Sequence, residues 1–125
     1  MNHLFLVAAG GAMGASLRHL VNLATLRLFG PQFPWGTLAV NIVGCFAMGL
    51  VVELVARKFG ASEALRLFLA TGVLGGFTTF SAFSLDALTL YERAGAMLAG
   101  IYVAASVAGA IAALFAGLAL ARTLA

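Results

Sequence analysis

The chain has 125 residues, of which 63% are hydrophobic and 9% charged, against about 25% charged residues in soluble domains. That composition excludes a water-soluble fold. The net charge of +3, from seven basic and four acidic residues scattered at the edges of apolar stretches, forms no basic tract of the kind that binds nucleic acid.

A helix needs about 20 mainly apolar residues to cross the hydrocarbon core. Charges and turn residues divide the chain into four such stretches, at 3–29, 36–56, 63–91 and 94–121. They form a single transmembrane domain, 1–125, of all-α class. The first stretch has no basic region before its apolar run, because the first positive charge is Arg18. It is therefore expected to persist as a structural helix rather than a cleaved leader. Gly10 and Gly14 sit four apart on it, and Gly30-Pro31 ends it. Arg18 is a deep positive charge, which needs a cavity, a partner or the interface. Two readings stay open: a vestibule charge that attracts anions, or a structural charge that snorkels or pairs with Asp86.

The second span starts after Pro34-Trp35, with Trp35 suited to an interfacial belt, and exits at Arg57, Lys58 and Gly60. Asn41 lies inside it, where an unpaired amide is costly. It either bonds a neighbouring helix or offers its NH2 group to an anion. Cys45, the single cysteine, lies in the same apolar run and reads as packing.

In the third span Ser62 is placed to cap the N-terminus and Glu63 to favour the helix dipole. At mid-membrane stands Gly72-Val73-Leu74-Gly75-Gly76-Phe77-Thr78-Thr79-Phe80-Ser81. Adjacent glycines and threonines lower helix propensity and offer competing side-chain oxygens. One reading is a central break whose freed carbonyls coordinate a cation. The other is an unbroken helix with Gly72 and Gly76 as a packing face. Phe80 and Phe83 share a helix face beside Ser81 and Ser84. Such rings either pack or turn their positive edges toward an anion.

The fourth span has no charge between Arg93 and Arg122. Ala105, Gly109, Ala113, Gly117 and Ala121 form a small-residue ridge for close packing. Tyr102 and Ser106, four apart, place two hydroxyls on one face. An even number of spans puts both termini on one side, with Arg57, Lys58, Arg66 and Arg122, opposite Arg27 and Arg93. So small a bias instructs topology weakly, and insertion in both orientations is expected.

Taken together, Gly10-Gly11-x-x-Gly14-x-x-x-Arg18, Gly36-Thr37-x-x-Val40-Asn41 and Gly75-Gly76-Phe77-Thr78-Thr79-Phe80-Ser81-x-Phe83-Ser84 closely resemble the Fluc fluoride channels, also called the CrcB family. The resemblance covers the whole chain, and its third motif is the specific one. It implies an antiparallel, dual-topology homodimer in a prokaryotic inner membrane, with four spans per subunit and the third broken at its centre. It implies a structural sodium ion held by backbone carbonyls of Gly75 and Thr78, and a fluoride pore at Phe80, Phe83 and Asn41, with a polar track starting at Tyr102 and Ser106. Where that track often continues, this chain has Ala110 and Leu114.

Fluoride is small and strongly hydrated, so a dry pore must replace its water with donors such as Asn41, Tyr102, Ser81 and Ser106. The expected activity is passive, fluoride-selective export that lowers cytoplasmic fluoride, with fluoride, sodium, the lipid bilayer and a second copy as partners. The alternative is a cation/proton antiporter of the small multidrug resistance type. That chemistry needs a membrane-embedded acid, and the first span has none. No nucleophile-base pair or metal-ligand cluster suggests an enzyme.

Overall fold

The computed structural model describes residues 2–125, and four of its helices are long and apolar enough to cross a membrane: His3–Phe29, Trp35–Arg57, Glu63–Ala94 and Ala96–Leu124. The first helix, α1 (Asn2–Phe29), stops where Gly30 takes a positive φ of 80° and its N–H bonds the Leu26 carbonyl at 2.9 Å. Glycine reaches that left-handed region without a steric cost. A short loop carries Phe33 and Pro34 into α2 (Trp35–Arg57), and the Trp35 ring rests between Phe29 and Phe33, at centroid distances of 5.7 and 4.7 Å. The expected cap of the third span forms, with the Ser62 hydroxyl accepting from the Leu65 N–H at 3.2 Å.

The third span opens as an α-helical turn (Glu63–Arg66), widens into a π-helix (Leu67–Leu74) and closes with Gly75–Phe77; together these make α3. In the widened stretch hydrogen bonds reach five residues back, as the Gly75 N–H does to the Ala70 carbonyl. The chain then leaves the helix at Thr78, whose backbone is extended (φ −84°, ψ 160°), and resumes as α4 (Ser81–Ala94). The span is thus broken near its centre. Its far end runs past Tyr91: Glu92 and Arg93 remain helical, and the turn into α5 (Ala96–Leu124) falls on Gly95, at φ 98°.

Two backbone-to-backbone seams hold the bundle. In one, α1 lies on α3: a Cβ at Gly10 would stand 2.9 Å from the Gly72 Cα, and one at Gly76 would stand 2.6 Å from the Gly11 carbonyl oxygen. The packing face and the break therefore coexist, in successive parts of one span. In the other seam α2 lies on α5, where a Cβ at Gly49 would meet the Leu118 nitrogen at 2.8 Å and one at Gly117 the Leu50 nitrogen at 3.1 Å. Ala113, Gly117 and Ala121 of the expected ridge are buried along it, whereas Ala105 is exposed. The second half of the third span, α4, closes on α5 around Phe83, Leu90, Ala99 and Tyr102.

Ionic contacts tie the ends. Glu53 pairs with Arg57 and, at 3.6 Å, with Arg122; His3 lies 3.5 Å from Glu63. Those contacts gather one end of the bundle, while Arg93 donates to the Gln32 carbonyl at the other. Extra volume in a glycine seam forces backbones apart, at about 1–3 kcal/mol. Gly117→Val is therefore expected to lower the melting temperature of the detergent-purified protein. Gly100→Ala should not lower it, because a Cβ there meets nothing within 4 Å and alanine favours the helix.

Candidate functional site

At the break, side chains stand in for the missing backbone partners. The Thr78 N–H still reaches the Leu74 carbonyl at 3.0 Å. The next amide, Thr79, instead donates to Asn41 Oδ1 at 2.9 Å, and Asn41 Nδ2 returns a bond to the Thr79 carbonyl at 3.0 Å. Asn41 thus pairs with Thr79 as a second peptide would. The Ala82 N–H likewise goes to Thr79 Oγ1 at 3.1 Å. These diversions leave the Gly75 and Thr78 carbonyls without their amide partners one turn on. They are the two carbonyls that the family resemblance implies as sodium ligands.

Arg18 fills a third vacancy. Its Nε donates to the Gly76 carbonyl at 3.0 Å, across the α1–α3 seam. The pairing with Asp86, one of the alternatives open for Arg18, is not formed; the Asp86 carboxylate accepts the Thr37 hydroxyl at 2.5 Å. Removing Arg18 leaves a carbonyl unsatisfied in an apolar setting, which costs roughly 1–3 kcal/mol. Arg18→Met is accordingly expected to melt at a lower temperature in detergent, and a melting curve equal to the parent's would contradict this bond.

Beside the break, α2 and α5 present matched stripes with a spacing of four: Thr37, Asn41 and Cys45 on one, Tyr102, Ser106 and Ala110 on the other. Between them lies a groove of about 300 Å³ lined by Asn41, Cys45, Phe80, Phe83, Ser106 and Ala110, among others. Phe83 is buried, 8% exposed, with its ring 5.3 Å from that of Tyr102 and 5.6 Å from that of Phe80, centre to centre. The Phe33 ring stands edge-on to Tyr102 at 5.4 Å. Phe80 is 77% exposed at the groove's rim. Two polar atoms stand out: the Tyr102 hydroxyl and Ser106 Oγ are buried and have no hydrogen-bond partner. Buried polar groups are normally satisfied, so this pair marks the polar centre of the site.

The single chain brings Asn41, Phe80, Phe83 and Ser106 into one groove, with Tyr102 a turn beyond Ser106 on α5. Ser81 and Ser84 face elsewhere. Both are exposed; Ser84 Oγ donates to the Phe80 carbonyl at 3.0 Å, and Ser81 Oγ lies 3.5 Å from Thr79 Oγ1. A second cavity, about 370 Å³, opens above Thr37 and Asp86 toward Asn22 and Arg93. Sequence reasoning missed Thr37, Thr79 and Cys45 at the site. The four-residue spacing of Thr37, Asn41 and Cys45 is the signal that finds two of them; Thr79 acts mainly through its backbone, which carries no residue code.

Four apolar spans, a third span opened near its centre and a groove lined by neutral polar groups and aromatic rings define a multi-pass membrane protein. Residues 5–118 match the model of the family described as CrcB-like protein, Camphor Resistance (CrcB). The chain is 63% identical over 124 residues, 99% of each chain, to a fluoride-specific ion channel FluC of Rhizobium etli. It is 61% identical, again over 99% of each, to the protein of that name from Agrobacterium fabrum, and 55% identical over the same share to that of Rhizobium meliloti. The chain belongs to the CrcB family.

Proposed function

We propose that this protein is a fluoride-selective channel that lets fluoride leave the cytoplasm passively and so lowers its internal concentration. The observation that carries this reading is the groove in which the Asn41 amide, the unpartnered Ser106 hydroxyl and the Phe80 and Phe83 rings meet, together with relatives named fluoride-specific ion channels at full-length identity. A dehydrated fluoride needs donors in place of its water. Asn41 commits one side of its amide to Thr79 and keeps a second N–H proton, while Ser106 and Tyr102 each hold an uncommitted O–H. Ring edges add weak positive potential. Neutral groups bind loosely enough for the ion to move on, which conduction requires. This is passive conduction, with no bond made or broken.

The working unit in this reading is an antiparallel homodimer in the inner membrane of a prokaryote, with both insertion orientations used. The nearly balanced charges at the two ends support it, as does the 77% exposure of Phe80 at the rim of a groove open on one side. A sodium ion at the centre of the dimer fits the break, because the Gly75 and Thr78 carbonyls have lost the Thr79 and Ala82 amides to side-chain acceptors. Carbonyl oxygens are the hard, neutral donors an alkali cation takes. The ion would supply positive charge that pins the freed backbone of both subunits. Exchanging sodium for N-methyl-D-glucamine throughout purification is expected to lower the melting temperature, and an unchanged melt would remove the ion from the reading. A proton-coupled antiporter is disfavoured because Glu53 is already paired with Arg57 and Arg122.

The test of function is efflux from liposomes containing the purified protein, read in parallel with fluoride and chloride electrodes. Rapid loss of fluoride with chloride retained is expected. Equal loss of both anions, or of neither, overturns the proposal.

A further inference from the structure

The stripes on α2 and α5 meet in rungs. Thr37 faces the Tyr102 hydroxyl, Asn41 and Ser106 share the groove one turn on, and Cys45 and Ala110 share it at the next. One turn further the groove closes, where Gly49 packs on the Leu114 carbonyl. Ala110 and Leu114 are the positions where α5 carries no hydroxyl. At Leu114 this follows from the backbone seam, but at Ala110 the groove is still open. Two other polar groups stand at that level. Thr78 is one, and its Oγ1 is already donated to the Leu74 carbonyl at 2.9 Å. Cys45 is the other: it is partly exposed, and its thiol is a weak donor on a soft, polarizable atom. At the neighbouring rung Ser106, which lines the same groove, is 5% exposed and its Oγ has no hydrogen-bond partner, a donor left unmet in that wall.

We propose that the Cys45 thiol lines the ion path, taking on α2 the place left empty at Ala110 on α5, and that it is a modification site for charged thiol reagents entering the groove from water. This rests on the channel reading above. The chain's single cysteine makes the chemistry unambiguous. With 2-sulfonatoethyl methanethiosulfonate, the Cys45 sulfur, its proton released to water, attacks the sulfenyl sulfur. A disulfide forms, and methanesulfinate leaves with the electron pair of the broken S–S bond. The added sulfonate then stands in the groove as a fixed anion.

The experiment treats proteoliposomes with this reagent, counts the added mass by mass spectrometry, and records fluoride efflux before and after, using the parent and Cys45→Ser. Labelling of the parent should lower its efflux roughly tenfold or more, about 1.4 kcal/mol on the barrier, while the rate of Cys45→Ser is indifferent to the reagent. Labelling without loss of efflux, or a conducting parent that is never labelled, overturns the inference and leaves the channel reading intact. A parent that conducts no fluoride before treatment overturns the channel reading, and this inference with it.

Discussion

Phe80→Ile lowers fluoride efflux by about tenfold or more, close to 1.4 kcal/mol on the barrier, without changing the melting temperature. The separation follows from position. Phe80 is 77% exposed at the groove's rim and packs chiefly on Phe83, so little folding energy depends on it. An aliphatic side chain keeps the bulk but loses the positive ring edge. Phe80→Tyr retains that edge and should recover most of the flux. Phe83→Ile is expected to lose flux as well, but with lower stability, because its buried ring leans on Tyr102 at 5.3 Å and such aromatic pairs contribute about 0.5–1.5 kcal/mol. Liposome efflux beside a thermal melt reads both quantities. If Phe80→Ile conducts like the parent, its ring is not part of the path.

Asn41→Ala carries the second large effect, and it strikes stability and flux together. The amide satisfies both backbone groups of Thr79. Leaving a buried polar group unsatisfied costs roughly 1–3 kcal/mol, so losing both partners amounts to about 2–6 kcal/mol. The break loses its anchor to α2, and the groove loses an N–H donor. Asn41→Asp keeps an acceptor for the Thr79 N–H but sets a carboxylate against the Thr79 carbonyl and the passing anion, so it should abolish efflux even in whatever fraction folds. A melt and an efflux rate equal to the parent's for Asn41→Ala would remove Asn41 from both roles.

The spans were legible because the bilayer makes length and apolarity nearly sufficient; the Gly30 and Ser62 ends followed from φ and capping. The turn at Gly95 was not. Glu92 and Arg93 looked like an exit, yet charged side chains at a helix end can reach the interface while the backbone stays helical, and one left-handed glycine was enough to reverse the chain. The π-helical stretch Leu67–Leu74 left no trace either, since five-residue and four-residue bonding differ by how α3 settles on the glycines of α1. That Asn41 needs a partner could be read; that the partner is a backbone could not. Ser84 shows the opposite trap. Helical spacing placed it beside Phe80 and Phe83, but its hydroxyl bonds back to the Phe80 carbonyl, a local competition that spacing ignores.

The α1–α3 seam also sets an order of assembly. Arg18 and the carbonyl it serves are 58 residues apart, so during synthesis the first span enters the membrane long before Gly76 exists. A mid-membrane arginine costs about 2.5–3.5 kcal/mol on insertion scales. The nascent first helix therefore keeps Arg18 at the water interface, tilted or shallow, and sinks to its final depth only when the third span arrives. The groove comes later still, because its α5 wall is the last span made and only then forms the second glycine seam on α2. The groove between α2 and α5 is one of the last parts of this molecule to be made.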